Sequence, residues 1–330
     1  MLRAYGKEET MRNFARVGVL GLAASLSCLG FGQTTAKAPA GAASGGQPPV
    51  AAAEILTEAN PALWKLKGVH GTVYLFGSVH VMKKDVHWET AKVKDALGAS
   101  GSLYLEIAEI DDASITAAQP AILQLGMDQE HPLSSKISKE DVDLLDGAVK
   151  SLGLPGEQAL EPMQPWLVYL TLSVLPAMQA GYDPNSGIDK TLAAEETAAG
   201  KPVKGFETMM EQIHMVADMP QALQVKILHQ TLVDLPKSVS ETNAMVADWT
   251  HGDVEAIGKM DNDEMKEKYP ELYQLLLVKR NEFFTNGLAK MLNDPATGTV
   301  FAAVGAAHLA GPDSVLKMLG ARGITAERVE

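Results

Sequence analysis

The chain has 330 residues, 46% of them hydrophobic, which is enough to bury the core of one large domain or of a domain with a helical insertion. Its 28 Lys and Arg face 41 Asp and Glu, giving a formal net charge of −13. Because sequence-independent binding of nucleic acid requires a basic face, this balance argues against nucleic acid as a partner.

The N-terminus predicts a secretory signal peptide over residues 1–32. The basic residues Arg12 and Arg16 precede an uncharged apolar run over residues 17–32, which is the order of a secretory leader. This run is too short to cross a bilayer comfortably as a helix. Translation from Met11, directly before the basic residues, is an alternative start. We therefore expect a secreted or periplasmic mature chain without a transmembrane span.

The region between the leader and the folded domain lacks the residues that build a core. Residues 33–53 are rich in Ala, Gly, Pro, Gln and Ser, so we expect a flexible linker there and one folded domain over residues 54–330. Cys28, the only cysteine, lies in the leader, so the mature chain would have neither a disulfide nor a thiolate ligand. Lipoprotein anchoring at Cys28 is the alternative, although Ser25 stands where a leucine is usual.

The apolar pattern of the domain predicts both strands and helices. Four short β-branched or aromatic runs predict buried strands over residues 72–76, 102–105, 202–206 and 299–304. Helical periodicity dominates an insertion over about residues 112–200. The predicted helices begin near Ser138, Pro165 and Ile188, and later ones cover about 209–217, 220–233, 239–251 and 273–291. The chain ends in a helix over 312–322, with Pro312 in its first turn, and an edge strand over 324–329.

One short motif occurs twice, each time after a predicted strand. Gly77-Ser78-Val79-His80 follows the run 72–76, and Gly305-Ala306-Ala307-His308 follows the run 299–304. The glycine allows a sharp turn, and the histidine then lies beyond the carboxyl end of the strand. A single copy would be explained by a histidine in a turn or a partly buried niche, so the repetition is what indicates a site.

The two other predicted strands each end in a glutamate. Glu106 ends the run that begins at Ser102, and Glu207 ends the run that begins at Pro202. Either glutamate alone could simply mark the return of the chain to solvent. If all four strands are parallel neighbours, however, two histidines and two glutamates share the edge where open α/β sheets bind ligands. Imidazole and carboxylate groups gathered there make either a metal site or an acid/base pair.

We therefore predict an α/β fold with a central mixed, largely parallel β-sheet flanked by helices. One half-unit runs strand, Gly-x-x-His, helix, strand and Glu. The second begins with a strand and Glu and ends with a strand and Gly-x-x-His. Two such half-units would bring their strand ends to one cleft, and the helical insertion would form a cap.

These motifs also occur in the order of a known family. The ordered matches are Leu63-Trp64-Lys65, the segment from Tyr74 to His80, Leu105-Glu106, Pro165-Trp166-Leu167, Gly187-Ile188-Asp189, Gly205-Phe206-Glu207-Thr208, Glu211-Gln212, Lys279-Arg280-Asn281 and the segment from Val304 to Asp313. They resemble the TraB/GumN family, which includes the Tiki-type metal-dependent proteases and has distant ChaN-like and erythromycin-esterase-like relatives. Ser78 stands where that family commonly has threonine, and Phe206 stands where leucine is usual. The resemblance implies a secreted or membrane-associated, metal-dependent hydrolase, although most members of the family have no assigned substrate.

The four strand-end residues supply ligands of the kind that this resemblance implies. His80, His308, Glu106 and Glu207 form a nitrogen and oxygen set that suits a divalent transition metal such as Mn, Co, Zn or Fe. Such a metal would lower the pKa of water toward neutrality, and a glutamate that is not a ligand could take the proton. We assign Glu106 the role of base or of shared ligand.

Arg280 and Ser78 complete the candidate catalytic residues. Arg280 could neutralise an oxyanion or hold a substrate carboxylate, although an arginine on an amphipathic helix is equally well explained as a surface residue. Ser78 could act as a nucleophile, but a hydroxyl beside a metal ligand more often supports that ligand.

The leading hypothesis is a secreted metal-dependent hydrolase, in the simplest case a peptidase, that acts on a peptide or small-molecule substrate. Two alternatives stay open. One is metal-free hydrolysis, in which a histidine activates water and glutamates orient it. The other is a non-catalytic protein that binds a peptide, haem or a metal. The remaining histidines have no spacing that indicates a site, and we expect structural or surface roles for them.

Overall fold

The computed structural model describes residues 54–330. The predicted leader, the linker over residues 33–53 and Cys28 lie outside the described residues. Within residues 54–330, six strands form one sheet: β1 (Leu63–Lys67), β2 (Thr72–Ser78), β3 (Ser102–Ile107), β4 (Val203–Glu207), β5 (Thr299–Gly305) and β6 (Ala326–Arg328). Their order across the sheet is β4-β3-β5-β2-β1-β6.

The four strands that carry the candidate site are parallel neighbours. β4 pairs with β3, β3 with β5, and β5 with β2, all in parallel. β1 then pairs antiparallel with β2 through a hairpin, and β6 pairs antiparallel with β1 at the edge. The predicted mixed, largely parallel sheet is therefore confirmed, including the edge strand near the end of the chain.

Helices cover both faces of the sheet. In the described part of the chain they are α1 (Ala91–Ala99), α2 (Asp112–Gly126), α3 (Lys139–Ser151), α4 (Pro165–Gln179), α5 (Ile188–Ala198), α6 (Met209–Ala217), α7 (Gln221–Asp234), α8 (Ser238–Thr250), α9 (Val254–Ile257), α10 (Asp263–Lys268), α11 (Pro270–Tyr273), α12 (Lys279–Asn293) and α13 (Val315–Ala321). Two π-helical stretches, Gly258–Asn262 and Gln274–Val278, connect α9 to α10 and α11 to α12. Within residues 54–330, no helix has the length and apolar content needed to cross a bilayer.

Local signals in the sequence placed several helix boundaries. Ser138 caps α3 through a reciprocal capping box with Asp141, and α4 begins at the predicted Pro165. The prediction that the final helix begins at Pro312 is wrong. α13 begins at Val315, because the Ser314 side chain accepts a hydrogen bond from the backbone of the first turn and so provides a better cap than proline can.

The alternation of side chains along the strands creates two cores. Val73, Leu75, Val300 and Ala302 point to the face covered by α12 and α13. Phe76, Leu103, Leu105, Phe301 and Ala303 point to the larger core under the remaining helices. There α4, from the segment between β3 and β4, packs against α7 and α8, which follow β4. The helices on this face of the sheet therefore include elements that come before β4 in the chain and elements that come after it.

A glycine holds the segment after β2 against the start of α5. The Ile188 backbone N–H donates to the Val79 carbonyl oxygen at 2.9 Å. A β-carbon on Gly187 would lie 2.2 Å from the His80 carbonyl oxygen, which is far inside van der Waals contact. Gly187 has φ −60° and ψ 145°, a conformation that any residue can adopt, so the lack of space alone requires glycine here. This contact fixes where His80 leaves the sheet.

Gly187→Ala should lower the free energy of unfolding by about 1–3 kcal/mol, because the added methyl group must push apart the two segments. Urea unfolding followed by circular dichroism measures the change. Gly147→Ala is the matched control, since a β-carbon at Gly147 in α3 would meet no atom within 4 Å and alanine favours the helix by up to about 1 kcal/mol. Equal stability of the two variants would contradict this explanation of Gly187.

Candidate active site at the carboxyl edge of the sheet

The structure brings the four predicted strand-end residues to one edge. Since β4, β3, β5 and β2 are parallel neighbours in that order, their carboxyl ends present Glu207, Glu106, His308 and His80. His308 lies in a short 3₁₀-helix, Ala306–Leu309, directly after β5. Glu106, Glu207 and His308 are buried, and the His80 side chain is 15% exposed. The predicted juxtaposition of residues that are more than 200 positions apart is confirmed.

Gly305 marks the point where three of these side chains meet. A β-carbon there would lie 3.1 Å from Glu106 Oε1, 3.5 Å from His80 Nε2 and 3.6 Å from His308 Cδ2. The Gly305 backbone N–H also donates to Glu106 Oε1 at 2.7 Å. Glycine thus leaves room at the end of β5 for two imidazoles and one carboxylate.

Arg280 is the buried centre of the site. Its Nε and Nη2 donate to the Glu207 carboxylate at distances between 2.7 and 3.2 Å, and Nη2 also donates to Glu106 Oε2. Nη1 is held less closely, at 3.2 Å from His308 Nε2 and 3.5 Å from the Leu276 carbonyl oxygen. Arg280 is 6% exposed, so its interpretation as a surface residue is wrong.

Both carboxylates also share an amide donor. Gln212 Nε2 donates to Glu106 Oε2 at 3.2 Å and to Glu207 Oε2 at 2.9 Å. Gln212 lies in α6, which Thr208 caps immediately after β4. Every oxygen of the Glu207 carboxylate is therefore engaged by Arg280 or Gln212, whereas Glu106 Oε1 faces the space around Gly305.

The charge on Glu106 is stabilised within the site. Burial alone would raise the pKa of Glu106, but Arg280, the two histidines and the Gly305 N–H together hold this pKa well below its ordinary value of 4.5. Glu106 is therefore ionised over the whole physiological pH range. An ionised carboxylate can accept a hydrogen bond from water, and it could bind a cation only in competition with the positive groups around it. Its depressed pKa makes it a weak base.

His308 is oriented and kept neutral by its surroundings. Asn281 Nδ2 donates to the Asp313 carbonyl oxygen at 2.8 Å, so Asn281 Oδ1 faces His308 Nδ1, 2.6 Å away. This arrangement assigns the proton to Nδ1 and leaves the lone pair on Nε2. Burial lowers the pKa of His308 to about 3, and Arg280 adds to the decrease. The lone pair of Nε2 faces Arg280 Nη1 at 3.2 Å, and Glu106 Oε1 lies 3.5 Å from the same nitrogen.

His80 has the opposite electrostatic environment. Its Nδ1 lies 2.7 Å from Asp189 Oδ2, and Asp189 belongs to the first turn of α5. Burial would lower the pKa of His80, but Asp189 and Glu106 outweigh burial and raise it from 6.5 to about 9. In the metal-free protein His80 therefore carries a proton at neutral pH, and its Nε2 side faces Gly305.

Ser78 lies at the end of β2, next to Gly305 in the strand register. Its side chain is buried, and its Oγ has no hydrogen-bond partner among the described residues. Neither neighbouring imidazole bonds to this hydroxyl, since His80 Nδ1 is beside Asp189 and His308 Nδ1 is beside Asn281. The base that a serine nucleophile requires is therefore not in contact with Ser78.

Sequence reasoning missed three residues that orient the site. Asp189, Gln212 and Asn281 lie inside the matched segments Gly187-Ile188-Asp189, Glu211-Gln212 and Lys279-Arg280-Asn281, but no role was assigned to them. The signal that could have found them is their position at helix starts, since a polar side chain there can face the carboxyl edge of a parallel sheet.

The donor chemistry of the site fits a divalent transition metal. His80 and His308 each have Nδ1 beside an oxygen atom, which is how metal-binding histidines are usually oriented, and each directs the Nε2 side toward Glu106. Among residues 54–330, however, no three His, Cys, Asp or Glu side chains are spaced as around a bound metal ion. Ligation would therefore require these side chains to move closer together.

The fold and the site together define an α/β protein with a polar, buried candidate active site at the edge of a parallel sheet. The chain belongs to the TraB/PrgY/gumN family, whose sequence model matches residues 62–328. It is also similar to an uncharacterized protein of Treponema pallidum (strain Nichols), with 21% identity over 275 residues that cover 78% of this chain and 80% of that relative. No solved structure matches the chain significantly. The resemblance drawn from the motifs is thus confirmed for the family.

The raised pKa of His80 predicts a pH-dependent stability. In protein treated with a chelator, the bound proton stabilises the fold fully below pH 6.5, and this stabilisation should be lost as the pH rises through about 9. The expected loss is on the order of 3 kcal/mol. Urea unfolding at a series of pH values measures it.

Asp189→Asn should flatten this pH dependence, because it removes the main charge that holds the proton on His80. Asp218→Asn is the matched control, since Asp218 forms an exposed pair with His214 that solvent screens. An unchanged slope in the Asp189 variant would show that the pair of His80 and Asp189 does not set the pH dependence.

Proposed function

We propose that the protein is a secreted hydrolase, most simply a peptidase, with its active site around Gly305. In this proposal His80, His308 and Glu106 bind a divalent transition metal, and Glu207 holds Arg280 in place. The observation that carries the proposal is the orientation of the two imidazoles. Asp189 and Asn281 occupy the Nδ1 sides, so both Nε2 sides converge near Glu106 Oε1.

A transition-metal ion bound by these residues would supply Lewis acidity and make water a stronger nucleophile near neutral pH. The chain's own residues would orient the water and stabilise the transition state. Glu106 Oε1 would orient the attacking water, and its Gly305 hydrogen bond keeps that oxygen in position. Arg280 Nη1, which has only long contacts within the protein, would donate to the oxygen that becomes negative in the transition state. Burial of the site strengthens this electrostatic stabilisation.

Metal-free hydrolysis is the second candidate, and one observation favours it. Arg280 already pairs with both glutamates and lies 3.2 Å from His308 Nε2, which places a positive charge next to a proposed metal ligand. In this case the Nε2 lone pair of neutral His308 would accept a hydrogen bond from the attacking water, and Glu106 would orient that water. Metal analysis of protein purified without chelators separates the candidates, because only the first requires a transition metal in near-stoichiometric amount.

Removing the histidines tests whether the site is catalytic. The protein should cleave members of a peptide library, in the first candidate only with manganese, cobalt or zinc. His80→Ala and His308→Ala should each lower kcat/KM for a cleaved peptide by about 10²-fold or more, while circular dichroism shows an intact fold.

His70→Ala is the matched control, because His70 lies exposed in the turn between β1 and β2. This variant should retain full activity. Cleavage that survives in both site variants would rule out the proposed site. Absence of cleavage by the unaltered protein, with peptide binding intact, would instead support a binding protein.

A further inference from the structure

A groove lies directly outside the candidate site, between α6 and the helical segment over residues 270–293. Its volume is about 610 Å³, which is within the range of roughly 300–1,000 Å³ typical of ligand pockets. Glu207 and Arg280 line it. The groove therefore adjoins the candidate site through Arg280, whose other contacts reach Glu106 and His308.

The wall of the groove is apolar and adaptable. It is formed by Met210 and Met215 from α6, Leu275 from the π-helical stretch and Phe283 from α12. Phe283 is 50% exposed and is one of the few large apolar side chains that the described chain leaves this open to solvent. Methionine side chains fit apolar groups of different shapes. An exposed aromatic beside a pocket of this kind is typical of ligand contact.

The backbone supports this interpretation of the groove. The π-helical stretch Gln274–Val278 lies immediately before α12, and it contributes Leu275 to the groove just before the chain reaches Arg280. π-Helical insertions are rare and are frequent at functional sites. The same short segment thus shapes both the groove wall and the position of the guanidinium.

The rim of the groove carries charges of both signs. The Glu211 carboxylate is bound by the Thr208 backbone and hydroxyl, and Asp218 pairs with His214. Lys279 is exposed and has no ion-pair partner among the described residues. The rim therefore carries both negative and positive groups, and the apolar wall rather than the charge sets which side chain fits the groove.

From these observations we propose that the groove is a substrate subsite that binds a large apolar side chain, such as Leu or Phe, of a peptide next to the bond that is cleaved. This inference rests on the proposed hydrolase function for the identity of its ligand. A lysine side chain would place its ammonium group against this apolar wall, and alanine is too small to fill the space.

A set of blocked hexapeptides that differ at one central position tests the subsite by binding alone. The peptides carry Leu, Phe, Ala or Lys, and affinity is measured by calorimetry with the His80→Ala variant, so that turnover does not interfere. The Leu and Phe peptides should bind at least about tenfold more tightly than the Ala and Lys peptides. Phe283→Ala and Met215→Ala, each added to this variant, should remove most of that preference. Leu123→Ala, which alters an exposed apolar residue in α2, should leave it unchanged.

The outcomes separate this inference from the proposed function. If the unaltered protein cleaves no peptide but binds Leu and Phe peptides in a Phe283-dependent manner, the groove stands as a binding site for a large apolar side chain and the hydrolase proposal fails. If the protein cleaves peptides while the four hexapeptides bind equally, or while Phe283→Ala leaves the preference intact, the subsite is disproved and the hydrolase proposal stands.

Discussion

The site depends on one buried arginine that holds two glutamates together. Arg280 donates to both Glu106 and Glu207, and all three side chains are removed from solvent. Two carboxylates in such a place would repel each other without a positive partner. Arg280 and Gln212 donate hydrogen bonds to both of them, and this holds the carboxyl ends of β3 and β4 together next to the two histidines. Arg280 therefore supplies the positive charge around which the residues at the carboxyl edge of the sheet are arranged.

Each imidazole is positioned by an element outside its own motif. Asp189 from α5 holds His80, and Asn281 from α12 holds His308. The surroundings also give the two imidazoles different charges, because the pKa of His80 is raised to about 9 while the pKa of His308 is lowered to about 3. Two copies of one sequence motif thus acquire different protonation states at neutral pH: the His80 imidazolium can only donate hydrogen bonds, whereas the neutral His308 imidazole can also accept one.

Much of this arrangement could be predicted from the sequence because the residues at the strand ends form a recognisable pattern. The Gly-x-x-His repeats and the glutamates after apolar runs indicated the shared edge, since parallel strands must align their carboxyl ends. The burial of Arg280 could not be predicted, because an arginine on an amphipathic helix has the same local pattern whether its partners are water or distant glutamates. The roles of Asp189, Gln212 and Asn281 were missed for the same reason, since each depends on a contact that only the assembled fold creates.

The free energy of unfolding of charge variants tests the central claim most directly. If Arg280 compensates two buried carboxylates, Arg280→Met should destabilise the fold by about 3–5 kcal/mol. Adding Glu106→Gln and Glu207→Gln to this variant should then recover a large part of the loss, because the unpaired charges are gone. A single variant as stable as the unaltered protein, or a triple variant no more stable than the single one, would contradict the claim that this charge network organises the site.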